Sequence, residues 1–118
     1  MMRVFQQTYF FPGALAASHV IRLKMPTAAQ LVHVSLAQAS ANIGTLKIGP
    51  STDDDGYLAA TNFPNNNVAE VATPAGFTGA LAGGQFPHLA KGEILLITIT
   101  DHSSHMSAVN VVLTFTEG

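Results

Sequence analysis

A chain of 118 residues with no cysteine suits one hydrophobic core and excludes a disulfide framework, a thiolate metal site and a thiol nucleophile. Only 10% of its residues are charged, the formal net charge is −2, and the five cations (Arg3, Arg22, Lys24, Lys47, Lys91) are scattered. A phosphate-binding face gathers its cations, so no nucleic acid is expected as a partner.

Period-2 alternation and turn residues then dominate the chain. Residues 3–10, RVFQQTYF, are rich in β-formers and are predicted to stop at a Phe11-Pro12-Gly13 turn. Residues 1–12 read as an extended arm or an edge strand, and removing residues 1–10 is expected to leave the rest folded. Residues 18–25 place His19, Ile21, Leu23 and Met25 on one side and Val20, Arg22 and Lys24 on the other, until Pro26 breaks the run. Residues 30–39 place Val32, Val34 and Leu36 on one face and Leu31, His33 and Ser35 on the opposite one. The Ala-rich stretch 27–41 could also be scored as a helix, but Val-x-Val-x-Leu has period 2, and Pro26 and Gly44 bracket it.

Residues 44–49 form a short strand with Leu46 and Ile48 inward. Residues 50–67 are mostly turn chemistry, with a short strand at 57–61, and residues 68–73 alternate again. Residues 74–92 hold five glycines and two prolines, which predicts a long ordered loop or a weak edge strand. The strongest strands are 93–100, with Leu95, Ile97 and Ile99 on one side, and 108–116, with Val109, Val111, Leu113 and Phe115 on one side. Their short connection predicts an antiparallel hairpin. About eight strands at turn spacing give an all-β, antiparallel β-sandwich over residues 1–118, jelly-roll-like first and immunoglobulin-like second.

Two clusters invite a chemical reading. Asp101, His102 and His105 sit with Ser103 and Ser104 in five residues, where two imidazoles and a carboxylate could converge on a metal. A polar, solvated turn is the preferred reading, because Asp, Ser and His tolerate turn geometry and no further ligand set lies nearby in sequence. A Ser-His-Asp triad draws its members from separate elements and is not expected here. Asp53, Asp54, Asp55 and Gly56 suggest calcium, yet an EF-hand loop begun at Ser51 would put Asn62 where a bidentate Glu is needed. A solvated β-turn accounts for them. Gly76, Gly79, Gly83 and Gly84 lack phosphate-loop spacing, and His19, His33 and His88 are assigned no chemistry. No metal, no cofactor and no enzyme activity are therefore expected.

The scarcity of charge is informative, since an ordinary domain carries about 25%. Interface cores lose charge in the same way, so coverage by other subunits is expected. The alternative is a low-charge domain kept in solution by Thr and Asn. No run reaches the ~20 apolar residues of a membrane span, and the first residues lack the apolar region of a signal peptide. A soluble protein made and used without export, with no membrane partner, is expected.

The segments LKIGPSTDDDGYLAAT (46–61), GFTGALAGGQFPHLAKGEILLITIT (76–100) and NVVLTFTEG (110–118), with residues 9–35, resemble a family of small virion proteins of tailed bacteriophages. The likeness covers nearly the whole chain. It implies a capsid decoration (cement) protein that binds the major capsid protein on the virion surface, is made in the host cytoplasm, and has no catalytic residues. In that family the loop after the penultimate strand is Asp/Gly-rich. Here it is DHSSHMS, which argues against a required site at His102 and His105. A homotrimer or homodimer suits symmetric positions on a shell. Phe5, Tyr9, Phe10 and Phe11 near the N-terminus, and Phe77, Phe86 and Leu89 in the Gly-rich segment, are the expected capsid or subunit contacts. The alternative is a head-fibre or tail-fibre module that recognises a host-surface glycan. The lack of Trp and the presence of only Tyr9 and Tyr57 count against it.

Overall fold

The computed structural model describes residues 3–15, 17–41, 44–53, 55–63, 69–72, 87–101 and 104–117. Nine strands form among them: β1 (Val4–Ala14), β2 (His19–Lys24), β3 (Ala29–Ala37), β4 (Thr45–Pro50), β5 (Leu58–Asn62), β6 (Ala69–Ala72), β7 (His88–Leu89), β8 (Ile94–Thr100) and β9 (Ser107–Glu117). They build two antiparallel sheets. One has the order β1-β9-β3-β6, with the two-residue β7 also pairing β3, and the other has the order β2-β8-β4-β5. The expected all-β, antiparallel sandwich is present.

Alternation explains the core. Leu46, Ile48, Leu95, Ile97 and Ile99 point inward from one sheet, and Leu31, Val34, Leu36, Val109, Val111, Leu113 and Phe115 from the other, all essentially inaccessible to water. Phe63, Met25, Met106 and Leu15 are buried in the same cluster. Each of these side chains removes roughly 1.5–3 kcal/mol worth of apolar surface from water.

The predicted hairpin between the last two long strands does not form. β8 lies between β2 and β4, and β9 lies between β1 and β3 in the opposite sheet. Stacked sheets stand about 10 Å apart, and a six-residue connection spans up to ~20 Å, so residues 101–106 can cross between them. His105 and Ala108 adopt left-handed backbone (φ 67° and 48°), which turns the chain into the second sheet.

The face assignment in residues 30–39 also needs correction. Leu31 pairs with Phe115 and His33 pairs with Thr114, so Val32 is an extra residue in the ladder. A bulge of this kind reverses the alternation, and Leu31, not Val32, joins Val34 and Leu36 in the core.

At the N-terminus, the expected Phe11-Pro12-Gly13 turn is an irregularity inside one strand. β1 follows β9 from Val4 to Phe11, slips, and resumes at Ala14 opposite Ser107. Gly13, at φ 72°, absorbs the slip. The Phe5 ring stacks on Phe115 with centroids 5.0 Å apart. Residues 4–10 are thus an edge strand that covers the core, and their removal would strip Phe115 and one side of β9. The expectation that residues 1–10 can be removed from a folded sandwich is corrected accordingly.

Candidate interaction surface

Pairing register places the outward residues of three strands side by side. On β1 these are Val4, Gln6, Thr8 and Phe10. Opposite them on β9 stand Thr116, Thr114, Val112 and Asn110. Across β9, Gln30, His33, Ser35 and Ala37 of β3 continue the same rows. None of these positions carries Asp, Glu, Lys or Arg. Gln6 donates from Nε2 to Thr114 Oγ1 at 3.1 Å across this face. Val4 (66% exposed) and Phe10 (57%) are its large open apolar side chains. Beside Phe10, Asn110 Oδ1 is buried with no hydrogen-bond partner among the described residues.

The outer face of the other sheet differs. Arg22 and Lys24 project from β2, and Lys47 projects from β4 one strand beyond β8. Three of the five cations therefore lie on one side of the sandwich, and on the other side the described outward positions of β1, β9 and β3 hold no Asp, Glu, Lys or Arg. Sequence reading missed this because each strand contributes only four of these outward positions. They become a continuous face only when β1, β9 and β3 are neighbours.

The expected contact residues separate. Phe10 is on the uncharged face. Phe5, Tyr9 and Phe11 are half-buried on the inner side of β1 against the core, and Phe11 stacks on His19 at 4.9 Å. Burial raises the Tyr9 hydroxyl above its ordinary pKa. Leu89 is 2% exposed and packs within the core, so its side chain is not on offer at the surface. Phe77 and Phe86 lie outside the described residues.

The polar clusters act as turn braces. Asp101 Oδ2 lies 2.6 Å from His105 Nδ1, and Asp101 Oδ1 accepts the Met106 N–H at 3.0 Å. The Asp101 N–H donates to Ser18 Oγ at 3.0 Å. The Asp101 side chain is 6% exposed and His105 45%. This carboxylate thus ties the crossing segment together, and among the described residues no three His, Asp or Glu side chains gather to hold a metal. His102 lies outside the described residues. In the acidic turn, the Asp53 N–H donates to Pro50 O and the Gly56 N–H to Asp53 O, which is turn geometry. Asp54 lies outside the described residues.

Tyr57 donates to Glu93 Oε2 at 2.6 Å. Burial and the facing carboxylate push the Tyr57 hydroxyl well above its ordinary pKa. Glu93 in turn supports the β7–β8 turn, where its Oε1 accepts the Ala90 N–H at 3.3 Å. This pair joins the residue just before β5 to the residue just before β8.

No protein-family model matches the chain, and no curated protein does. Its fold is similar to that of a chain in the solved cyanophage Pam1 capsid asymmetric unit, with a TM-score of 0.56 and 15% sequence identity over 99% of this chain and 85% of that one.

Proposed function

We propose that this chain is a structural virion protein of a bacteriophage, bound to the capsid exterior, where it stabilises the shell by bridging subunits of the major capsid protein. The observation that carries this reading is the uncharged outer face of the β1-β9-β3 sheet. Charge-depleted surface of this breadth is what the centre of a protein interface requires. The fold likeness to a chain from a cyanophage capsid supports the choice of partner. Packaged DNA presses a shell outward, and a protein seated across a capsomer junction adds buried area that must be exposed before the junction opens. That task needs a rigid scaffold and no catalysis. We read the protein as a non-enzyme, a single domain and a homo-oligomer, resident on the virion surface. The exchange of strands between a five-stranded and a four-stranded layer, with orders β1-β9-β3-β6 and β2-β8-β4-β5, also supports the jelly-roll reading. The fibre alternative is less favoured, because Tyr57 is tied to Glu93 and the outward face presents Phe10 as its aromatic among the described residues.

Quantitative mass spectrometry of purified virions tests the reading. A copy number in simple ratio to the major capsid protein supports decoration. A handful of copies per virion refutes it and moves the protein to a fibre or tail. A Val112→Glu variant, charged at the centre of the uncharged face, should fold normally and fail to bind capsids that lack the protein. Undiminished binding would clear this face of the role.

A further inference from the structure

We propose that the free edge of β1 is a dimerisation strand, which pairs antiparallel with β1 of a second copy about a two-fold axis at Gln7. β1 is eleven residues long and has β9 on one side only among the described residues. Edge strands are usually guarded by charge, proline or brevity. The other edges are guarded: β2 carries Arg22 and Lys24, and β5 and β6 have five and four residues. From Val4 to Phe11, β1 carries no charge and no proline.

The backbone parity is defined. The Glu117 N–H donates to Arg3 O at 2.7 Å, so odd-numbered residues of β1 direct their N–H and C=O groups at β9. The even-numbered residues Val4, Gln6, Thr8 and Phe10 then direct theirs at the open edge. A two-fold at Gln7 sets Val4 opposite the partner's Phe10 and Gln6 opposite the partner's Thr8. All four are hydrogen-bonded positions, giving about eight new backbone hydrogen bonds.

The side chains match in the same register. Val4 and Phe10, two of the three large exposed apolar residues among the described ones, stand three positions either side of Gln7, so each covers the other across the axis. The amide and hydroxyl of Gln6 and Thr8 meet between them. With no charge in the strand, a copy laid beside itself meets no repulsion. Pro12 and the irregularity after Phe11 fall just beyond the paired stretch, where they end the ladder. A second copy is favoured over a foreign strand because the exposed apolar pair is symmetric about one residue. The inference concerns the isolated chain and does not depend on the capsid reading.

Sedimentation velocity across a concentration series, with amide hydrogen exchange on the same samples, tests it. The wild type should be a dimer in which the Val4, Gln6, Thr8 and Phe10 amides are protected along with the odd-numbered ones. Val4→Glu/Phe10→Glu and Val4→Lys/Phe10→Lys should each halve the mass and lose only the even-numbered protection, because like charges then stand opposite. Their mixture should recover a heterodimer. A monomeric wild type with fast-exchanging even-numbered amides overturns the inference, whatever the virion copy number. So does a dimer that survives both charged variants. If the monomer binds capsids and only then protects the even-numbered amides, the edge takes a capsid strand and self-pairing is wrong. The wild-type exchange pattern decides the matter even if a charged variant fails to fold.

Discussion

Deleting Val32 should leave the protein folded, whereas deleting Ser35, three residues away in the same strand, should not. Val32 is the surplus residue of the bulge between Leu31 and His33. Without it Leu31 still meets Phe115, His33 still meets Thr114, and the alternation becomes regular. The loss is a half-buried valine and some local twist, about 1–2 kcal/mol. Deleting Ser35 has no such escape. The least costly slip moves Leu36 to the outer face and brings Ala37 into its place in the core. That equals a buried Leu→Ala change, about 2–5 kcal/mol for the cavity alone. Gln38, buried and accepting from the Ser40 N–H and Oγ, would also be displaced. Against a total stability of roughly 5–15 kcal/mol, the second deletion removes a large share. At ~4 °C per kcal/mol for a chain of this size, thermal melts followed by circular dichroism should separate the two clearly. Equal losses, or a larger loss for the Val32 deletion, would refute the bulge as the cause of the face reversal.

Gly44→Ala should cost about 1–3 kcal/mol, since its Cβ would overlap the Thr100 carbonyl and crowd Met106 Cε; Met106→Ala should not rescue it, because the nearer obstacle is backbone, and paired urea titrations check both. Tyr57→Phe should cost about 1–2 kcal/mol at neutral pH. The folded state holds the Tyr57 proton above the ordinary pKa of 10.0, so above that pH the unfolded chain has released a proton the folded chain keeps. Stability therefore falls as pH rises past 10.0, and melts of the Tyr57→Phe variant should show a shallower alkaline decline than wild type. Asp101→Ala leaves the Met106 N–H without its acceptor and should cost about 1–3 kcal/mol, while Asp101→Asn, which keeps a carbonyl oxygen there, should cost less in the same denaturation assay.

Local pattern by itself determined the class of this protein. Strict alternation at residues 18–25, 44–49, 93–100 and 108–116 marks which side chains go inward. The structure buries Leu46, Ile48, Leu95, Ile97, Ile99, Val109, Val111, Leu113 and Phe115 as that pattern requires. The turn character of Asp53–Gly56 was legible too, because Asp and Gly act through hydrogen bonds to near neighbours. Asp101 was legible only as a turn residue; its partners His105 and Met106 are near neighbours, but Ser18, just before β2, is distant in sequence. What tertiary structure alone decided is pairing. Nothing local distinguishes a hairpin from a crossing between sheets, and β8 and β9 cross because each is central in its own sheet. A bulge depends on the opposing strand, so Leu31 and Val32 could not be told apart until β9 lay beside β3. The uncharged face and the open edge of β1 arise in the same way. Their residues are spread from Val4 to Thr116, and only hydrogen-bonded register brings them together.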